Sequence, residues 1–280
     1  MKIAILGMGF LGHVLFDYFS NRCNVVSADI ISFSPSIKYL DAEKEVEVDN
    51  LLFDEKPNIV IDTIALSSYY LCEINKDLCM RINFQTAKNI AGSCRKINAK
   101  MIFISSSYIF DGKKGNYIES DTPDSGTAYA KSKILAEKVV LSLGDSIVLR
   151  VEPMFGFDKK ASCIRVGTNT FEKPMNVAYL NLLRSPVFVC DMPKIIDMLI
   201  HLDQTGVFHV ASNKKLNWYD CLYELASLEN SCGNLKIVSN SDWILEPPHD
   251  TSLDASKLAK LGFEPTSFDV SLMKIKAQLV

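Results

Sequence analysis

The sequence predicts an α/β protein, a doubly wound parallel sheet with a smaller C-terminal α/β substrate lobe. Three observations carry this. Gly7, Gly9 and Gly12 stand between an apolar run, Lys2 to Leu6, and a helical pattern, Leu11 to Ser20. The next apolar run, Asn24 to Ala28, is closed by Asp29, about 20 residues after the glycines. Further runs at Asn58 to Ala65, Met101 to Ile104 and Ser146 to Val151 are apolar at nearly every position, which suits parallel strands covered on both faces.

The glycines explain the first turn. In such a turn they permit the tight bend, let a pyrophosphate approach the backbone, and let helix pack closely on strand, while the helix N-terminus favours negative charge. A bare glycine motif is weak, but preceded by a strand, opening a helix and followed by an acid at a strand end it points to a dinucleotide. Candidate cofactor contacts are therefore Gly7, Gly9, Phe10, Leu11 and Gly12. Asp29 can accept hydrogen bonds from both adenosine ribose hydroxyls and would repel a 2′-phosphate unless a cation stood near. Ile30 and Ile31 follow it, so NADH is favoured, with NADPH compatible should Arg22 or Lys38 approach.

Val46 to Asp49 reads as a short strand with an acid at its end, and Met80 to Ile97 as a helix carrying Asn83. Three serines, Ser105, Ser106 and Ser107, follow the Met101 strand, where open α/β sheets hold ligands; serines there are also common loop starters. Downstream, Ala128 to Leu143 has the apolar spacing of a helix, and Tyr129 and Lys133, four apart, share one face. A phenol beside an ammonium ionises well below its usual pKa of about 10 and can pass a proton to or from a carbonyl. Alone, such a pair is what a solvated helix face shows.

Composition limits the function classes. The 280 residues are 48% hydrophobic, enough for one large core or one domain with a smaller lobe. A net charge of −3 and a pI near 5.9 argue against nucleic acid. Eight cysteines without any Cys-x-x-Cys pair suit reduced, buried thiols such as Cys23, Cys79, Cys94 and Cys190, and hence a cytoplasmic location. Cys72 and Cys79 lack the histidines a metal site would need, and His201, His209 and His249 are not paired by spacing. The N-terminal apolar run mimics a signal peptide, but no small-residue cleavage site follows it. No stretch reaches the roughly eighteen apolar residues of a membrane span.

Taken together, Gly7-Met8-Gly9-Phe10-Leu11-Gly12, Ser105-Ser106-Ser107-Tyr108-Ile109-Phe110-Asp111-Gly112 and Tyr129-Ala130-Lys131-Ser132-Lys133 resemble the extended short-chain dehydrogenase/reductases, and among them the dTDP-4-dehydrorhamnose reductases. The resemblance extends through Arg150 to Gly156, Ser185 to Asp191 and a tail from Glu246 to Gly262, and weakens over residues 157 to 180, where the substrate contacts of this chain cannot be assigned. It implies a Rossmann fold with a dinucleotide-binding part over 1–153 and a substrate lobe over 154–280, some of which returns to the first part. It implies catalytic roles for Ser106, Tyr129, Lys133 and Asn83, although Asn83 reads equally well as a mid-helix surface amide. It also implies that Asp49 and Asn50 lie at the adenine and Ile64 and Ala65 along the cofactor, while Asp62-Thr63-Ile64 replaces the usual Asn-Ala-Ala.

The implied chemistry is NAD(P)H-dependent reduction of a nucleotide-linked 4-keto-6-deoxy sugar, in deoxysugar or cell-surface polysaccharide biosynthesis. Ser107 and Tyr108 stand where sugar dehydratases carry an Asp-Glu pair, and no cysteine follows Ser106 as in epimerising reductases. Partners are then the sugar-nucleotide substrate, with no nucleic acid and no membrane, and a homodimer is compatible. Two alternatives stay open: a regulatory subunit resembling the methionine adenosyltransferase β subunit, and an epimerase that retains its NAD.

Overall fold

The computed structural model describes residues 1–31, 34–167, 169–170, 175–178, 182–238 and 247–279. Strands β1 (Lys2–Leu6), β2 (Asn24–Asp29), β3 (Ile37–Tyr39), β4 (Ile59–Asp62), β5 (Lys100–Ser106) and β6 (Ser146–Val151) alternate with helices α1 (Phe10–Phe19), α2 (Glu45–Glu55), α3 (Tyr69–Ile74), α4 (Lys76–Met80), α5 (Thr86–Ile97) and α6 (Ala128–Leu141). Further on, the chain forms β7 (Met154–Asp158), β8 (Cys163–Val166), β9 (Asn169–Thr170), β10 (Met175–Ala178), β11 (Leu183–Arg184) and β12 (Val187–Phe188). Then come α7 (Met192–His201), β13 (Gly206–Val210), β14 (Leu216–Asn217), α8 (Trp218–Leu228), β15 (Leu235–Val238), α9 (Ser256–Lys260) and α10 (Phe268–Lys276).

Seven strands make one parallel sheet in the order β13-β6-β5-β4-β1-β2-β3. Its order reverses beside β1 and β4, the switch point where open α/β sheets bind ligands at the strands' carboxyl ends. One face is covered by α1 and α7, through Leu15, Phe19, Ile195, Ile196 and Leu199; the other by α2, α5 and α6, through Val48, Leu52, Ile90, Cys94, Ala136 and Val140. Burial on both faces is why β4, β5 and β6 read as unbroken apolar runs. The chain leaves the sheet after β6, builds the small sheet β12-β7-β8-β9 with α8 and α10 packed on it, and returns as α7 and β13.

One element differs from the sequence reading. Residues 46–49 are helical, part of α2, rather than a strand. The alternating Val-Glu-Val-Asp suggested period two, but Val48 and Leu52, four apart, are the positions α2 buries, with Glu45 and Glu47 in its first turn favouring the helix dipole. The strand that continues the sheet is β3, nine residues earlier in the chain than Val46. Among the described residues no helix is long and apolar enough to cross a membrane, and the cysteines form no disulfide.

Candidate active site

The glycine turn is built as a cradle. Gly7 has φ +96°, and a Cβ there would lie 2.8 Å from Thr63 Oγ1 and 2.9 Å from the Ile64 nitrogen; a Cβ at Gly12 would lie 2.0 Å from the Gly7 carbonyl oxygen. Gly9, by contrast, has nothing within 4 Å of such a carbon, and no side chain caps the N-terminus of α1 that it precedes. Two glycines therefore close the turn, and the third leaves open space before the free amides of Phe10 and Leu11, which suits an anionic pyrophosphate.

Asp29 ends β2 beside this turn. Its carboxylate accepts from the Met8 amide and, at 3.0 Å, from the Ile31 amide, so each oxygen is oriented and keeps a lone pair for a ribose hydroxyl. Both cations considered for a 2′-phosphate are committed elsewhere. Arg22 lies 3.7 Å over the Tyr18 ring and donates to the Tyr18 carbonyl, and Lys38 pairs with Glu55.

At the end of β4, Thr63 Oγ1 donates to the Gly7 carbonyl at 2.6 Å, and Asp62 Oδ1 accepts from the Ile64 amide at 3.0 Å. Asn83 clamps the next residue from both sides: its Oδ1 accepts from the Leu66 amide at 2.7 Å and its Nδ2 donates to the Leu66 carbonyl at 3.2 Å. Ile64, half-buried, and Ala65, exposed, are held between these clamps. Asn83 sits in a π-helical turn, Arg81–Gln85, and also donates to Ser132 Oγ at 3.2 Å. Its described side-chain bonds hold the end of β4 and reach Ser132 on α6, the helix that carries Tyr129 and Lys133, without a direct bond to Ser106, Tyr129 or Lys133.

The three serines separate by direction along the strand. Ser105 donates to Glu137 on one side, and Ser107 turns toward Thr251 and Glu152 in the interior. Ser106 is the serine of the three that acts on the Tyr129 phenol, opposing the rise of its pKa, and its hydroxyl accepts from the Tyr108 amide at 3.2 Å, capping a short turn. Thr127 caps α6 just before Tyr129, accepting from the Ala130 amide, and so fixes the helix start that places the phenol. One turn along, Lys133 Nζ donates to the Ile104 carbonyl at 2.9 Å and lies 4.6 Å over the Phe103 ring.

The protonation of this pair differs from the sequence expectation. Burial pushes the Tyr129 phenol above its ordinary value, with Ser106 opposing, rather than an ammonium drawing it down. Burial also lowers Lys133 to about 8. Spacing placed the two side chains on one face but could not show that both are buried, at 7% and 2% exposure, where desolvation outweighs the neighbouring charge.

Asp49 and Asn50 are a second correction. Both lie on α2, where Asp49 accepts from Ser93 Oγ and Lys96 Nζ, each at 2.7 Å, and Asn50 is exposed on the helix. The residues that follow the sheet past β3 are Leu40, Asp41 and Ala42, with the Leu40 amide bonded to the Asp29 carbonyl at 2.9 Å. The i, i+4 spacing of Val48 and Leu52 was the signal that would have found them. Sequence reasoning also missed Glu152, pushed up to about 7 by burial, and Arg184, wholly buried with its guanidinium 5.2 Å over Tyr108. Glu246 and part of 157–180 lie outside the described residues.

The model of the RmlD substrate binding domain family matches residues 1–280. The chain belongs to that family. The resemblance drawn from the three motifs thus stands at the family level. Methionine adenosyltransferase 2 subunit beta of Bos taurus is 26% identical over 97% of this chain and 86% of its own length. The dTDP-4-dehydrorhamnose reductase of Aggregatibacter actinomycetemcomitans is 23% identical over 85% of this chain and 87% of its own. Among solved structures, a hypothetical dTDP-4-dehydrorhamnose reductase from Sulfolobus tokodaii superposes with a TM-score of 0.80 at 26% identity, covering 96% and 99% of the two chains. The dTDP-4-dehydrorhamnose reductase of Bacillus anthracis in complex with NADP gives 0.83 at 22%, covering 99% of each chain. The UDP-glucose 4-epimerase of Thermus thermophilus complexed with NAD gives 0.84 at 16%, covering 100% and 99%, which bears on the fold alone.

Proposed function

We propose that this protein is an NAD(P)H-dependent reductase of a nucleotide-linked 4-keto-6-deoxy sugar, acting in deoxysugar or cell-surface polysaccharide biosynthesis. The observation that carries the reading is the placing of the Ser106 hydroxyl against the buried Tyr129 phenol, with Lys133 one turn along the same helix, at the strand ends beside a glycine turn shaped for a dinucleotide. The reductase names among the family's relatives and neighbours support it.

The nicotinamide cofactor would be held by Gly7, Gly9, Phe10, Leu11, Gly12, Asp29, Ile64, Ala65 and Lys133, and when bound it supplies the hydride. As charge grows on the substrate's carbonyl oxygen, Ser106 donates a hydrogen bond to it and Tyr129 delivers the proton. A phenol whose pKa burial has raised holds its proton at neutral pH and serves as the acid in the reduction direction. Lys133 sets the charge beneath the site. Asp29, with Arg22 and Lys38 turned away, supports NADH over NADPH.

The test is nicotinamide absorbance with a dTDP-4-keto-6-deoxy sugar generated in place, NADH against NADPH. Sugar-dependent oxidation of NADH is the expected result; tight NADH binding without turnover on any keto sugar would contradict the reading. A second reading, a regulatory subunit, is favoured by the methionine adenosyltransferase 2 subunit beta relatives, which align over nearly the whole chain. It expects a stable complex with a methionine adenosyltransferase in size-exclusion chromatography and no turnover.

A further inference from the structure

A buried carboxylate lies behind the candidate site. Asp62 is 1% exposed, its Oδ1 accepts from the Ile64 amide, and its Oδ2 has no hydrogen-bond partner. It stands opposite Phe103 in the β4–β5 register, and the Lys133 ammonium lies over that same Phe103 ring. The two charges thus face each other in the apolar layer between the sheet and α6 without a direct ion pair, in a medium where charges interact strongly.

We propose that Asp62 is a positioning residue for the reductase chemistry: it is the counter-charge that keeps Lys133 an ammonium inside the protein. The inference deepens the reductase reading and rests on it for its catalytic meaning. The groups that face Lys133 from the surrounding elements are Asp62 of β4, Glu137 of α6, Cys79 of α4 and Cys72 of α3. Glu137 is already paired with Arg150 at 2.8 Å and accepts from Ser105. Cys72 donates to the Leu66 carbonyl at 3.3 Å, and Cys79 donates to Ser132 Oγ and accepts from Asn83 Nδ2. Ile104 and Phe103 of β5 contribute a carbonyl and a ring, but no charge. Asp62 in turn faces Lys133 and Cys94 of α5. Among the described residues Asp62 is therefore the carboxylate that offers Lys133 an anionic group no other cation neutralises, and the Cys79 thiol, lowered to about 7, is its rival.

An uncompensated ammonium at this depth would shed its proton near neutral pH, because desolvation already depresses Lys133. A neutral amine there would still fill the space but would no longer place positive charge under the site.

The experiment is an NMR titration of lysine Cε carbons in the full chain without substrate, with Lys133 identified by the signal lost in Lys133→Met. In Asp62→Asn the Lys133 midpoint should fall by roughly one unit or more, about tenfold in its proton affinity. The pH at which NADH affinity drops should move acid by the same amount. An unchanged midpoint would overturn the proposal, as would a larger shift in Cys79→Ser than in Asp62→Asn, which would give the role to the thiol. Should Asp62→Asn not fold, Lys133→Met supplies the reciprocal test: the Asp62 carboxyl, followed by its Cγ signal, should titrate roughly a unit or more higher than in the parent. No change there would equally contradict the proposal. Because these titrations need no substrate, a failed sugar assay leaves them standing, and a failed titration leaves the reductase reading standing.

Discussion

Two buried charge pairs sit a few residues apart along α6, and they are built in opposite ways. Glu137 and Arg150 are joined by three nitrogen–oxygen contacts, at 3.1, 3.2 and 2.8 Å, and the remaining valences are taken by Ser105, the Glu119 carbonyl and His209. Asp62 and Lys133 make no direct bond with each other, and Asp62 keeps an unpartnered oxygen. A fully satisfied pair locks α6 to β6. A loosely coupled pair under the site leaves its charges adjustable, and costs stability in doing so.

The widest gap between the pairs should open on breaking them. Arg150→Met leaves Glu137 buried without its cation and is expected to lower unfolding free energy by about 3–5 kcal/mol in urea titrations. Replacing both partners, Glu137→Gln with Arg150→Met, should recover most of that loss, since only the unpaired charge is costly.

Asp62→Asn should move stability the other way. Asp62 is raised to about 6, so its folded pKa lies above the unfolded value and ionisation is unfavourable in the fold. The penalty is fully present above about pH 6 and vanishes as pH falls toward the unfolded carboxyl value. The variant is expected to gain about 2–3 kcal/mol over the parent at pH 7 and nothing near pH 4, by denaturation at each pH. A variant less stable than the parent at neutral pH would erase the contrast.

His209, beside the Arg150 pair, gives a pH counterpart. Burial and the Arg150 charge lower it to about 4, so it is neutral in the fold. Its contribution is intact above the unfolded value and lost as pH falls from about 6.5 to 4, opposite in sign to Asp62. His209→Gln should therefore flatten the acid side of the stability curve, on the order of 3 kcal/mol by pH 4.

The smallest expected change in stability is at Gly9. A methyl there meets no neighbour, so Gly9→Ala should stay within about 0.5 kcal/mol of the parent while weakening NADH binding at least tenfold in a fluorescence titration. Equal cofactor affinity in the variant would show that the open side of the turn is not where a dinucleotide lies.

Much of the fold was legible because its strands are covered on both faces and its turn glycines are demanded by contacts a Cβ would break. The nearness of Ser106 to Tyr129 and Lys133 was legible because two short segments, the serine run after β5 and the Tyr129–Lys133 spacing on α6, carry the three. What was not legible depended on depth and direction. The three serines by themselves do not show which hydroxyl points to Tyr129, which only the resemblance of the run through Gly112 picked out, and a local Val-Glu-Val-Asp alternation hid the helix that carries Asp49 away from the sheet. The direction of the Tyr129 shift needed its burial, and the facing of Asp62 and Lys133 needed the register of two strands and a helix distant in the chain.

The most direct measurement compares the parent with Tyr129→Phe in the keto-sugar assay, with NADH affinity measured in parallel. The account predicts turnover lower by roughly 10²–10⁴-fold with NADH affinity nearly unchanged. Undiminished turnover in the variant would contradict it.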